Sequence, residues 1–171
     1  HNHYPVLYQR AVRQAVDAFE ASHPGRQIWF FNRASWTGGE PGSAAYESAN
    51  FPGDENTDWS HSNGLGAQAS DMLNRAVAGQ YGFTTDIGGY FDFNSPATTP
   101  ELFLRCAAWA ALSPTFRLHG SVLHAEHTPW SSGPTAEEAH RPSALLPKAP
   151  PPLLTTRLHP LAQPSPPPRP P

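Results

Sequence analysis

Between Tyr4 and Ala21 the apolar side chains Tyr8, Val12, Val16 and Phe19 recur at near-helical spacing, opposite Arg10, Arg13, Asp17 and Glu20. That stripe predicts an amphipathic helix ending at His23-Pro24-Gly25. The period then changes. Gln27-Ile28-Trp29-Phe30-Phe31 is apolar on both alternating faces, as in a strand buried in a parallel sheet, and it closes on the polar pair Asn32-Arg33. A loop rich in Gly, Ser and acids runs from there to Asn63, a length that in a compact domain usually goes with function. A second helix is predicted from about Leu65, with Leu65, Ala69, Met72, Leu73, Ala76 and Val77 inward and Gly79 as its stop.

Tyr81-Gly82-Phe83-Thr84-Thr85 reads as a second short strand that reaches Asp86 and then Gly88-Gly89, where the backbone must turn sharply or approach a ligand. Thr99 is placed to cap a third helix, with Pro100 at its first position, Glu101 near the positive end of its dipole, and a buried stripe of Leu102, Phe103, Cys106, Trp109 and Ala110. Ser113-Pro114 ends it, and Thr115-Phe116-Arg117-Leu118-His119 is a third strand candidate. Alternating helices and strands predict an α/β fold. Arg33, Asp86 and His119 stand at the carboxyl ends of the three strands, where a closed parallel barrel builds its active site. A doubly wound sheet also binds ligands at strand ends, but it more often has a Gly-rich phosphate turn, and none follows any strand here.

Composition limits how much of the chain can join that fold. Of 21 prolines in 171 residues, 13 lie between Pro134 and Pro171, a stretch that cannot sustain a ladder or a helix. Charge divides in the same region, since residues 1–138 hold all 14 acids and 7 of the 11 Lys and Arg. The expected organisation is a folded part over residues 1–131 and a disordered Pro-rich tail over residues 132–171. The acidic, aromatic front part lacks the clustered bases of a nucleic-acid footprint. No apolar run is long enough to cross a bilayer. Cys106 alone excludes an internal disulfide framework and reads as a small core residue. The chain opens on His1 without Met or a signal-peptide core, so a start cut short is expected, and cytoplasmic residence is only a weak expectation from composition.

The densest chemical cluster is Gly53-Asp54-Glu55-Asn56-Thr57-Asp58-Trp59. A calcium loop starting at Asp54 would need Gly at position 6 and Glu at position 12, where Trp59 and Leu65 stand. Spacing alone leaves two readings open, a solvated acidic loop that caps the following helix and a catalytic loop. His119, His124, Glu126 and His127 invite a metal site, yet no zinc motif such as HExxH is present, and neither metal nor cofactor is expected. Trp29, Trp36, Trp109 and Trp130 read as core or pocket wall.

The strings FFNRASWTG, FPGDENTDW, TDIGGY, ELFLR and FRLHG follow one another in register. Together they resemble the second half of the catalytic barrel of glycoside hydrolase family 31, over about residues 1–130. The resemblance implies a partial (β/α)8 barrel of about three βα units and an α-linked glycoside as substrate, cleaved with retention. It makes Asp54 the general acid/base and places Arg33, Asp86, Arg117 and His119 around the cleaved sugar, with Trp59 as an aromatic wall. GDxNxDW and DIGGY are most similar to sulfoquinovosidase-like members, in which the residue matching Tyr90 helps recognise a sulfonate. The nucleophile, an Asp after the preceding strand in that family, would lie upstream of His1. Departures from the family pattern are Ala45, Phe51, Cys106 and an apparent insertion at Glu40-Pro41-Gly42.

The resemblance stops near Trp130, which is similar to the family's active-site rim. Two other functions remain open on sequence: a catalytically inert partial barrel, and a ligand for SH3-type grooves through PxxP segments such as Pro147-Lys148-Ala149-Pro150. Plain disorder is the favoured reading of the tail, and a protein partner is not expected there.

Overall fold

The computed structural model describes residues 1–38, 42–91, 97–120 and 127–145. Helix α1 spans His3–Ser22, as its spacing predicts. Its buried line differs from the expected stripe: Val6, Gln9 and Val16 are buried, whereas Tyr8 and Phe19 are exposed. Gln9 is inside with its side-chain NH2 paired, donating to the Ala34 carbonyl at 2.6 Å and to Glu47 Oε2 at 3.2 Å. A side-chain amide whose donors are paired can stand in the interior in place of an apolar residue.

Four short parallel segments follow. Strand β1 is Phe31–Asn32 and pairs with β2, Ala49–Asn50, in the register Phe31 with Ala49 and Asn32 with Asn50. The first predicted strand therefore forms only at its end, and Trp29, expected inside, is half exposed. β2 lies in what the sequence reads as loop, after a 3-10 turn at Ser43–Ala45. The Thr84 amide donates to the Asn50 carbonyl at 3.2 Å, bringing the next segment beside β2. Thr84 then bridges Thr115 and Ile87 bridges Leu118, both parallel. The second and third predicted strands thus survive as single bridges. Gly82, Gly88 and Gly89 all have positive φ, so the backbone bends on both sides of the middle segment.

Helix α2, Leu65–Val77, and helix α3, Pro100–Ala110, connect these segments. α3 begins as predicted, with the Thr99 hydroxyl accepting from the Leu102 amide at 3.2 Å and Pro100 in the first turn. Its inner face, Leu102, Phe103, Cys106, Ala107 and Ala110, joins Ile87 in the apolar core. Trp109, predicted in that stripe, lies half-buried at its edge, with Ala107 in its place. α2 departs further: Leu73 and Val77, predicted inward, are exposed, and only Gln68 is buried.

The folded part also extends past its expected limit. After a 3-10 turn at Trp130–Ser132, helix α4 runs Pro134–Leu145 through a stretch read as disordered tail, with Pro142 inside it. Packing explains this, since Ala136 is buried and the His140 ring sits 5.4 Å from Phe103 and 5.0 Å from Phe116. Tertiary burial outweighs poor local propensity. Trp36 and Trp130, expected as core or pocket wall, are exposed. Residues 146–171, with the PxxP segments, and residues 39–41, with the expected insertion, lie outside the described residues. No helix among the described residues is long and apolar enough to cross a membrane.

Candidate active site

The carboxyl ends of the four segments bring the expected side chains into two linked clusters. At the end of β1, Arg33 pairs with Asp54 at 3.2 Å, joining the residue after β1 to the loop after β2. Asp54 is the more enclosed partner, its side chain 16 % exposed against 61 % for Arg33. Its backbone carbonyl accepts from the Asn63 side chain at 3.0 Å, and Asn63 also donates to Asn56 Oδ1 at 3.2 Å. This cross-brace folds the acidic loop back on itself just before α2, and Asn63 was not singled out by the sequence.

The second cluster centres on Asp86, fully buried at the end of the middle segment. Its Oδ1 pairs with Arg117 and lies 3.3 Å from His119 Nδ1. The Tyr90 ring stacks on His119 with centroids 4.6 Å apart. Arg117 lies over the rings of Phe51 at 4.4 Å and Phe31 at 5.2 Å, an apolar floor that strengthens its bond to Asp86. Burial pushes the Asp86 carboxyl up, Arg117 and His119 pull it back down, and the negative charge of Asp54 raises it again. The two clusters therefore share one electrostatic field.

Arg33, Asp54, Asp86, Tyr90, Arg117 and His119 are thus assembled by four different chain segments. Trp59 stands elsewhere, half exposed in an open groove of about 600 Å³ that it lines with Leu65 and Ala69 of α2 and with Arg105 and Trp109 of α3. A residue that the sequence left unassigned, Glu55, is nearly buried behind the clusters, and its Oε2 accepts from the Asp86 amide at 3.1 Å. Its place in the acidic string was visible, but its burial was not.

His127 also turns inward, its Nδ1 lying 2.7 Å from the Gly89 carbonyl and 3.1 Å from that of His119. It braces the turn beneath Tyr90. His124 and Glu126 lie outside the described residues, and among the described residues no group of three His, Cys, Asp or Glu could hold a metal ion.

Comparison with known proteins gives this arrangement its context. Residues 1–146 match the family described as glycosyl hydrolases family 31 TIM-barrel domain. The chain is 34 % identical over 119 residues to a sulfoquinovosidase of Escherichia coli strain K12, covering 70 % of this chain and 16 % of that protein. It is 30 % identical over 131 residues to an alpha-xylosidase of Saccharolobus solfataricus, covering 75 % of this chain and 16 % of that protein. Among solved structures, a family 31 sulfoquinovosidase from E. rectale superimposes with a TM-score of 0.75 at 28 % identity, over 95 % of this chain and 23 % of that one. A family 31 alpha-glucosidase from Bacteroides thetaiotaomicron gives 0.71 at 25 % identity, over 95 % and 25 %. The chain belongs to glycoside hydrolase family 31, and it spans about a sixth of the length of these two curated relatives. The family match extends through α4, beyond the point near Trp130 where the sequence resemblance was expected to stop.

Proposed function

We propose that the strand-end clusters form the acid/base half of a site that hydrolyses an α-linked glycoside with retention of configuration. The carrying observation is that Asp54 and the Asp86–Arg117–His119–Tyr90 group stand at the same carboxyl end of consecutive parallel segments. Asp54 protonates the leaving oxygen and then, as a carboxylate, activates the attacking water. Arg33 fixes its carboxyl through the 3.2 Å ion pair. Asp86 accepts from sugar hydroxyls, which its bonds to Arg117 and His119 orient, while the Tyr90–His119 stack walls the bound ring. Tyr90, which the resemblance matches to a sulfonate-recognising residue, and the sulfoquinovosidase relatives make a sulfonated sugar the first candidate. Trp59 lines the groove between α2 and α3, away from the clusters, and takes no part in this reading.

Retention needs a second carboxyl about 5–5.5 Å from the first to attack the anomeric carbon. Asp86 is already held by Arg117 and His119, so this reading takes the nucleophile from a barrel strand preceding this chain. The chain by itself is then expected to give no turnover. The test is a chimera in which residues 1–145 replace the matching segment of the Escherichia coli sulfoquinovosidase, assayed on aryl α-sulfoquinovoside and aryl α-glucoside. Asp54→Asn is expected to lower kcat/KM by roughly 10²–10⁴-fold, in keeping with loss of a general acid/base. Asp58→Asn keeps the acceptor for the Ser60 amide and should leave the rate close to that of the parent chimera. Undiminished turnover in the Asp54→Asn chimera would remove Asp54 from the role.

A further inference from the structure

The loop carrying Asp54 is fastened to the Asp86–Tyr90 segment through the next residue along. The Glu55 carbonyl accepts the amides of Tyr90 at 2.7 Å and Phe91 at 2.8 Å, and its side-chain Oε2 accepts the Asp86 amide at 3.1 Å. Its other carboxyl oxygen is buried with no hydrogen-bond partner among the described residues. The two backbones come so close that a Cβ on Gly89, where φ is +83°, would stand 2.6 Å from the Asn56 carbonyl oxygen. Glu55 thus supplies three bonds between the Asp54 loop and the Asp86–Tyr90 segment, beside those of the Thr57 amide and hydroxyl to the Phe91 carbonyl.

We propose that Glu55 is a positioning residue that works as a neutral carboxylic acid, locking the Asp54 loop onto the Asp86–Tyr90 segment through the Asp86 amide. This rests on the reading of Asp54 as acid/base. The charged and titratable groups around Glu55 are Asp86 on the middle segment, Arg117 on the last, Cys106 on α3 and its chain neighbour Asp54. Arg117 is engaged by Asp86, so an ionised Glu55 would place a second buried carboxylate beside the first with one cation between them. Burial, then the Asp86 charge, pushes the Glu55 carboxyl up to about 9. Oε2 accepts from an amide, so the proton belongs on Oε1, the oxygen with no partner among the described residues.

The test is urea unfolding of the 171-residue chain across pH, with amide NMR spectra, for the wild type, Glu55→Gln and Glu55→Ala. The folded state holds this proton more tightly than the unfolded chain. The Glu55 contribution to stability is therefore complete below the ordinary carboxylate range and lost as pH rises to about 9. In Glu55→Gln that part of the pH dependence should vanish and the Asp86 amide should keep its hydrogen bond. In the wild type the same amide should titrate with an alkaline midpoint, and in Glu55→Ala it should exchange faster. Three outcomes overturn the proposal: Gln destabilising as much as Ala, an Asp86 amide titrating in the ordinary carboxylate range, or a chain with no cooperative transition and so no packed interior. None of these readouts involves turnover, so the Asp54 assignment fails separately, through its own chimera.

Discussion

On the α3–α4 side of the sheet the buried positions are Ile87, Leu102, Phe103, Cys106, Ala107, Ala110 and Ala136. On the α1–α2 side Val6, Val16, Ala49 and Phe51 are buried together with the polar Gln9, Ser43, Glu47, Asn50, Gln68 and Gln80. Exposed apolar residues are more numerous on α1 and α2, with Tyr4, Leu7, Tyr8, Phe19, Leu73 and Val77, than on α3 and α4, where Leu145 is the example among the described residues. The first side is held by area removed from water, a non-directional force that tolerates imperfect geometry. The second is held by named bonds: Gln9 to Glu47, Arg13 to the Tyr46 carbonyl at 3.1 Å, Arg75 to Asn50, and Tyr81 to the Glu47 carbonyl at 3.0 Å. One side is a self-sufficient core. The other also carries apolar side chains on exposed helix faces.

Truncation in the apolar core should break this contrast most. Phe103 is fully buried against His140 and the α3 face, and Phe103→Ala is expected to cost about 3–5 kcal/mol in urea unfolding and to release α4. A loss under 1 kcal/mol would mean that α4 does not depend on that core. The polar side should respond to pH instead. Burial raises the Glu47 carboxyl to about 7, against smaller lowering by Asn50, Arg75 and Asn32. Its folded-state value lies above the unfolded one, so its contribution is complete below the unfolded value of 4.5 and lost as pH rises to about 7. Glu47→Gln should flatten that part of the stability profile, and an unchanged slope would show that Glu47 is charged and well paired. The smallest effect is expected at Val77, 91 % exposed on α2, where Val77→Ser should change stability by less than about 0.5 kcal/mol. A larger loss would reveal a partner for that face in solution.

The same contrast separates what could be read in advance from what could not. α3 was legible almost to the residue because a cap, a first-turn proline and a repeating apolar stripe are local signals. The stripe on α2 was equally regular, yet its direction was wrong. Periodicity says that a helix has an apolar face, and only its neighbours decide whether that face is covered. The site shows the same limit. Arg33, Asp86 and His119 were placed at strand ends from order alone, and the structure gathers them with Asp54, Tyr90 and Arg117. Trp59, five residues beyond Asp54, stands in a groove between helices instead.

The sequence by itself determined the α/β order, the positions of α1, α2 and α3, and, through motifs in register, the family. Each of these follows from neighbours along the chain or from strings that can be compared directly. Tertiary structure decided the rest: the two-residue extents of β1 and β2, the helix built through Pro142, the burial of Gln9 and Glu47, and the seat of Glu55 behind Asp86. A strand needs a partner far along the chain to satisfy its backbone, and a carboxyl holds its proton differently once folding removes its water or brings another charge beside it.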